Sequence, residues 1–214
     1  MHIEGYLEND NDGICDDPKV CDKLKEKDVT LAIYASEPNF LDLIRTVLSG
    51  ISMDIDLFAS EIIPRSCACK NLDNCDNRFD ATLEEVLHLI TDIGVNDVYP
   101  EFANNFQSTL GNYIKELNGD CGSGNDYINS SSGLCSGSYA YDDCTCDESC
   151  FVVEGTYWAL TSLLGAQEFR GDEINNEWLL YNSFLMESRA PELTQFLRDK
   201  NSFHCLPLNL PNTT

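Results

Sequence analysis

Asp80-Ala-Thr-Leu-Glu-Glu-Val-Leu-His-Leu-Ile-Thr-Asp-Ile93 spaces its apolar residues as an amphipathic helix does. Leu83, Val86, Leu87, Ile90 and Ile93 recur every three or four positions and form one stripe. Asp80 or Thr82 can cap its start, and Gly94 suits its end. A second stripe runs through Phe102, Phe106, Leu110, Tyr113 and Leu117, which predicts a helix from about Pro100 to Leu117 with proline in its first turn. Phe151 to Ala166 is apolar almost all round, with Trp158, Leu160, Leu163 and Leu164, the pattern of a helix buried on most sides. Similar spacing predicts helices over 38–51, 173–187 and 191–200. Val29 to Tyr34 has strand character, and residues 52–66 alternate loosely. The expected fold is therefore α+β and mostly α-helical: a single disulfide-stapled domain with a small sheet in its N-terminal half. Residues 1–28 form an acidic segment, and 29–214 form the helical domain.

The chain has 214 residues, and 43 % of them are hydrophobic, enough for a real core. Its 37 acidic residues against 13 basic ones leave a net charge of -24. Phosphate neutralisation needs a basic patch, so nucleic acid is excluded as a partner, and an anionic membrane surface is disfavoured. No apolar run approaches the ~20 residues of a membrane span. No Lys or Arg occurs between Lys115 and Arg170, so cations or a basic partner are natural compensators for that half. A solubilising acidic surface explains it equally well.

Eleven cysteines stand at positions 15, 21, 67, 69, 75, 121, 135, 144, 146, 150 and 205. Such density fits an oxidising compartment, so an extracellular or secreted protein is expected. The clusters Cys67-x-Cys69-x5-Cys75 and Cys144-x-Cys146-x3-Cys150 lack paired Cys-x2-4-Cys knuckles and a nearby histidine. Disulfides are thus favoured over zinc thiolates for Cys15, Cys21, Cys67, Cys69, Cys75, Cys121, Cys135, Cys144, Cys146, Cys150 and Cys205. The odd count leaves one thiol for another chain or for none, a route to a protein partner or self-assembly. Residues 119–150 hold five Gly, seven Ser and five Cys without a basic residue. They read as a long loop tied down by disulfides, Cys121 with Cys135 among them. Met1 to Leu7 lacks the charged start and apolar run of a secretory signal, so a secreted protein would be present here in mature or trimmed form. Asn129 and Asn212 open glycosylation sequons.

Two constellations carry chemistry. In Glu8-Asn-Asp10-Asn-Asp12-Gly-Ile14-Cys-Asp16-Asp17, acidic groups recur at alternate positions before a glycine turn. A calcium ion takes about six to eight oxygens at about 2.3–2.6 Å, and this spacing wraps them round one point. Glu8, Asp10 and Asp12 would supply carboxylates, Ile14 its carbonyl, and Asp16 or Asp17 a further carboxylate. The alternative is a solvated acidic turn closed by Cys15 and Cys21. The segment resembles a single copy of the thrombospondin type 3 calcium repeat. It is no EF-hand, because the twelfth loop position is Lys19.

The second constellation is Glu84-Glu85-x-x-His88. Residues 84 and 88 lie one turn apart on one face. It resembles the His-Glu-x-x-His of zincin metallopeptidases, with Glu84 in place of the first histidine. The resemblance implies a zinc-like site, with His88 as second ligand and Glu85 as the catalytic base. Gluzincins take a third ligand from a glutamate on a later helix. Glu154 fits that place, because a lone carboxylate in an apolar helix needs a partner. A Glu/His/Glu set carries more negative charge than His/His/Glu and acidifies bound water less, so a weak or inactive peptidase is implied. Glu84 and His88 also read as a simple i, i+4 pair, and Asp92 is another partner within reach of His88. The competing functional class is an extracellular structural or interaction protein (a matrix, coat or filament subunit) stabilised by calcium.

Overall fold

A computed structural model describes Leu7, Asp12 and residues 14–29, 31–34, 55–58 and 81–199. The chain is mostly helical. Its described elements are α1 (Pro18–Glu26), β1 (Leu31–Tyr34), β2 (Ile55–Phe58), α2 (Ala81–His88), α3 (Asn96–Val98), α4 (Thr109–Asn118), α5 (Glu148–Leu163), α6 (Gly171–Ile174), α7 (Ser183–Arg189) and α8 (Pro191–Arg198). Helix α5 is the axis of the core. Eleven of its sixteen residues are buried, so it has almost no solvent face. Asp147 caps it by accepting from the Cys150 N–H at 3.1 Å. Thr156 and Thr161 fold their hydroxyls back onto the carbonyls of Val152 and Tyr157, which satisfies both donors inside the core. Helices α2, α4, α7 and α8 pack around α5.

Strands β1 and β2 pair in parallel, Leu31 opposite Ile55 through Tyr34 opposite Phe58. The small sheet expected of the N-terminal half amounts, among the described residues, to this two-stranded ribbon. Two four-residue strands are marginal alone, and β2 packs against α2. The helix expected over 38–51, the Cys-rich loop 67–79 and Cys67, Cys69, Cys75 and Cys205 lie outside the described residues.

Four expectations are corrected. Gly94 does not end the first helix. After His88 the chain continues as a π-helix over Leu89–Val95 and then as α3. A Cβ at Gly94 would stand 2.8 Å from Val20 Cγ1, so the glycine permits close approach of α1. Thr82 lies inside α2 and not at its cap. The helix expected from Pro100 to Leu117 is broken. Pro100–Phe102 is a 3-10 turn, Ala103 is extended, and α4 restarts at Thr109 with Ser108 accepting from the Gly111 N–H at 2.8 Å. Asn104 explains the break, because its N–H reaches Asn96 Oδ1 and its side-chain amide reaches Asp92 Oδ1 at 2.6 Å. The helix expected over 173–187 is likewise two short ones, α6 and α7, the latter capped by Asn182. Between them Trp178 bridges to Tyr139 and donates to Ser162 Oγ at 3.0 Å. The helix expected over 191–200 is met by α8, and the buried helix expected over Phe151 to Ala166 by α5, shifted three residues toward the N-terminus.

Disulfides join Cys15 to Cys21, Cys121 to Cys135 and Cys146 to Cys150. Cys144 is exposed and unbonded. Among the described residues, no helix is long and apolar enough to cross a membrane.

Asp17 is buried at the start of α1. One carboxylate oxygen accepts from the N–H groups of Lys19 and Val20, and the other accepts from the Tyr99 hydroxyl. Both oxygens thus help to hold the fold. Asp17→Ala is expected to destabilise the protein by about 2 kcal/mol, from the lost cap and buried bond. Urea unfolding should show the same loss with calcium and with chelator.

Candidate metal centre

Helix α2 presents Glu84 and His88 one turn apart, toward α5, against which it packs. Helix α5 supplies Glu154. One ligand atom from each of Glu84, His88 and Glu154 lies within 4.8 Å of the other two. Helix periodicity brings the first two together, and the α2–α5 packing adds the third. Directly after His88 the helix takes its π-helical turn, a feature frequent at functional sites.

His88 is only 8 % exposed, and its Nε2 has no hydrogen-bond partner. That nitrogen stands 3.6 Å from Glu154 Oε2, while Nδ1 stands 3.8 Å from Glu85 Oε2. Both separations are ion-pair distances, too long for hydrogen bonds. The Tyr157 ring meets the imidazole edge-on at 5.7 Å. Tyr157 is itself held by Gln167, whose Nε2 donates to the Tyr157 hydroxyl and to Thr161 Oγ1. Arg170 Nη1 donates to Gln167 Oε1 at 2.8 Å.

Burial dominates the electrostatics. It pushes the Glu84 carboxyl up to about 8, with Glu154 adding repulsion and His88 and Arg170 opposing. Glu154 is raised by burial too, against the nearby His88 and a hydrogen bond from Tyr141. Burial disfavours the His88 imidazolium, but Glu85, Glu154 and Glu84 outweigh it and the pKa rises. The cluster thus holds protons that it would release to a bound cation.

Sequence reasoning missed Glu177. Burial raises it to about 7, with Asp142 and Glu154 repelling its charge. It arrives with Tyr141 because residues 138–140 pair with 177–179: Ala140 N–H donates to Glu177 O at 2.7 Å and Leu179 N–H to Ser138 O at 2.9 Å. The available signal was a carboxylate directly before a buried tryptophan. Asp92 is near enough for His88 to oppose the rise of its pKa, but its Oδ1 accepts from Asn104.

Of the calcium-loop residues, Glu8 and Asp10 lie outside the described residues. Asp12 Oδ1 accepts the Ile14 N–H at 2.8 Å, and the Asp16 N–H donates to Leu7 O. Asn129 Oδ1 accepts from the Ser131 N–H and hydroxyl of its own sequon, while Asn212 lies outside the described residues. Asp120, Cys121 and Cys135 also gather, but those two sulfurs are bonded to each other and offer no thiolate.

Comparison with protein-family models, with curated proteins and with solved structures finds no match to this chain.

Proposed function

We propose that this chain is a secreted, zincin-like domain that binds a divalent metal, zinc or a similar ion, through Glu84, His88 and Glu154. Peptide hydrolysis by it is weak or lost. The observation that carries this reading is the buried His88 Nε2, without a hydrogen bond and 3.6 Å from the Glu154 carboxylate, in a cluster that Glu84 completes. A buried polar nitrogen left unsatisfied costs about 1–3 kcal/mol, and coordination would offset that cost. Three protein donors leave a position open for water or substrate, the pattern of catalytic rather than structural sites. Two carboxylates with one imidazole neutralise the ion more fully than His/His/Glu does. The bound water is then less acidic, which is why the reading stops short of an efficient peptidase.

The test is elemental analysis of wild type and His88→Ala, each dialysed first against trace zinc and calcium. About one transition-metal ion per chain in wild type and none in His88→Ala is the expected result. Metal absent from wild type, or retained by the variant, would sink the reading.

The exposed Cys144 thiol favours a second reading, an extracellular interaction or structural protein that pairs through it, with calcium at the Asp12 turn and glycan at Asn129 or Asn212. A disulfide-linked dimer on non-reducing gels, abolished by Cys144→Ser, and a melting temperature that drops on chelation would support it.

A further inference from the structure

We propose that Glu85 is a positioning residue for the His88 ligand and not the base that its place in the motif implies. The inference rests on the metal-site reading above. The two imidazole nitrogens are separated by one ring carbon and point in different directions. Nε2 faces Glu154 at 3.6 Å and takes no hydrogen bond, while Nδ1 faces Glu85 at 3.8 Å. Helix α5 therefore addresses one nitrogen of the ring and helix α2 the other. Glu84, four residues before His88, joins the ligand cluster, and Glu85, three residues before it, backs the other nitrogen.

The ring is held in that orientation. Tyr157 meets it edge-on, and Gln167 fixes the Tyr157 hydroxyl. The side chain of Glu85 is 26 % exposed, so its carboxylate is partly shielded and its pull on Nδ1–H is stronger than in water. A carboxylate charge beside Nδ1 favours the ring proton on that nitrogen and leaves the lone pair on Nε2, where the ligand cluster needs it. Such partners of ligating histidines typically contribute 10–100-fold to metal affinity. A base role would require the Glu85 carboxylate to leave Nδ1 and release the ring. Glu85 thus keeps the zincin sequence position and does different work there, which fits a domain that holds metal without hydrolysing peptides well.

The experiment uses the full chain with 15N-labelled histidine and 113Cd(II) as the metal. The expected spectrum shows cadmium coupled to His88 Nε2 and a proton on Nδ1. Cadmium affinity, read by competition with a chromophoric chelator, should fall 10–100-fold in Glu85→Ala. Glu85→Gln, which keeps the shape but not the charge, should lose most of the same affinity. Coupling through Nδ1 in wild type would overturn the proposal, even if Glu85→Ala failed to fold. So would unchanged affinity in a folded Glu85→Ala. A wild type that binds no cadmium would overturn the metal-site reading and this inference together, which separates that failure from the other two.

Discussion

Glu84→Gln is expected to stabilise the metal-free protein at pH 8 and to do little at pH 4. The ordinary value for Glu84 is 4.5, and in the folded chain burial beside Glu154 lifts it to about 8. Between those values the unfolded carboxyl is ionised and the folded one still holds its proton. The unfolded state therefore binds fewer protons, and stability falls as pH rises. The stabilising contribution is complete below about 4.5 and is gone once pH passes about 8. Over that span the linkage is worth on the order of a few kcal/mol, which for a chain of this size is several degrees in melting temperature. Glutamine has the shape of the protonated acid and no charge to bury, so the variant escapes the loss. Thermal melts with chelator at pH 4, 6 and 8 should show a gap between variant and wild type that widens with pH. Melts with excess zinc at pH 8 should reverse the order, because only wild type keeps all three ligands. A gap that does not change with pH would refute the assignment of this cost to Glu84.

Much of this arrangement was legible in local sequence. Helices α5 and α8 follow from spacing and from terminal signals that act within one or two turns. Glu84 and His88 could be paired because helical geometry alone puts residues four apart on one face. Glu154 could be added because a carboxylate in an otherwise apolar helix needs a reason to be there. What the sequence hid depends on distant chain. Gly94 reads as a stop signal, yet its missing side chain makes room for Val20 on α1. The stripe from Phe102 to Leu117 has helical spacing. Asn104 nevertheless finds Asp92 and Asn96, and those bonds outweigh continuation of the helix. Tyr141 and Glu177 reach the acidic cluster through pairing between segments almost forty residues apart, which no local pattern encodes. The direction of the Glu85 carboxylate likewise depends on how the His88 ring is turned. That orientation reflects Tyr157 on another helix.

The same long-range packing governs the largest purely structural effect expected, at Gly155. This glycine follows Glu154 in the middle of α5, where helix propensity alone would favour alanine by about 1 kcal/mol. A Cβ there would stand 2.5 Å from Ile114 Cγ2 and 2.9 Å from Tyr139 Cε1. Neither neighbour can yield easily. Ile114 is fully buried on α4. Tyr139 is pinned by its hydroxyl bond to Phe151 O at 2.9 Å and by its edge contact with Trp178. Overpacking of this kind typically costs about 1–3 kcal/mol, so Gly155→Ala should be mildly destabilising once its gain in helix propensity is subtracted. Gly155→Val adds two methyls and a β-branch, and a loss of about 3 kcal/mol or more is expected, roughly 6–12 °C in melting temperature. Because α4 and Tyr139 press on α5 one residue from Glu154, a shift that relieves the clash also moves the third member of the metal cluster. Gly155→Val should therefore lose metal affinity even below its melting temperature, whereas a substitution at exposed Phe184, on the rim of α7, should change neither property. A Gly155→Val protein with wild-type stability would mean that the α4–α5 contact is looser than the glycine implies.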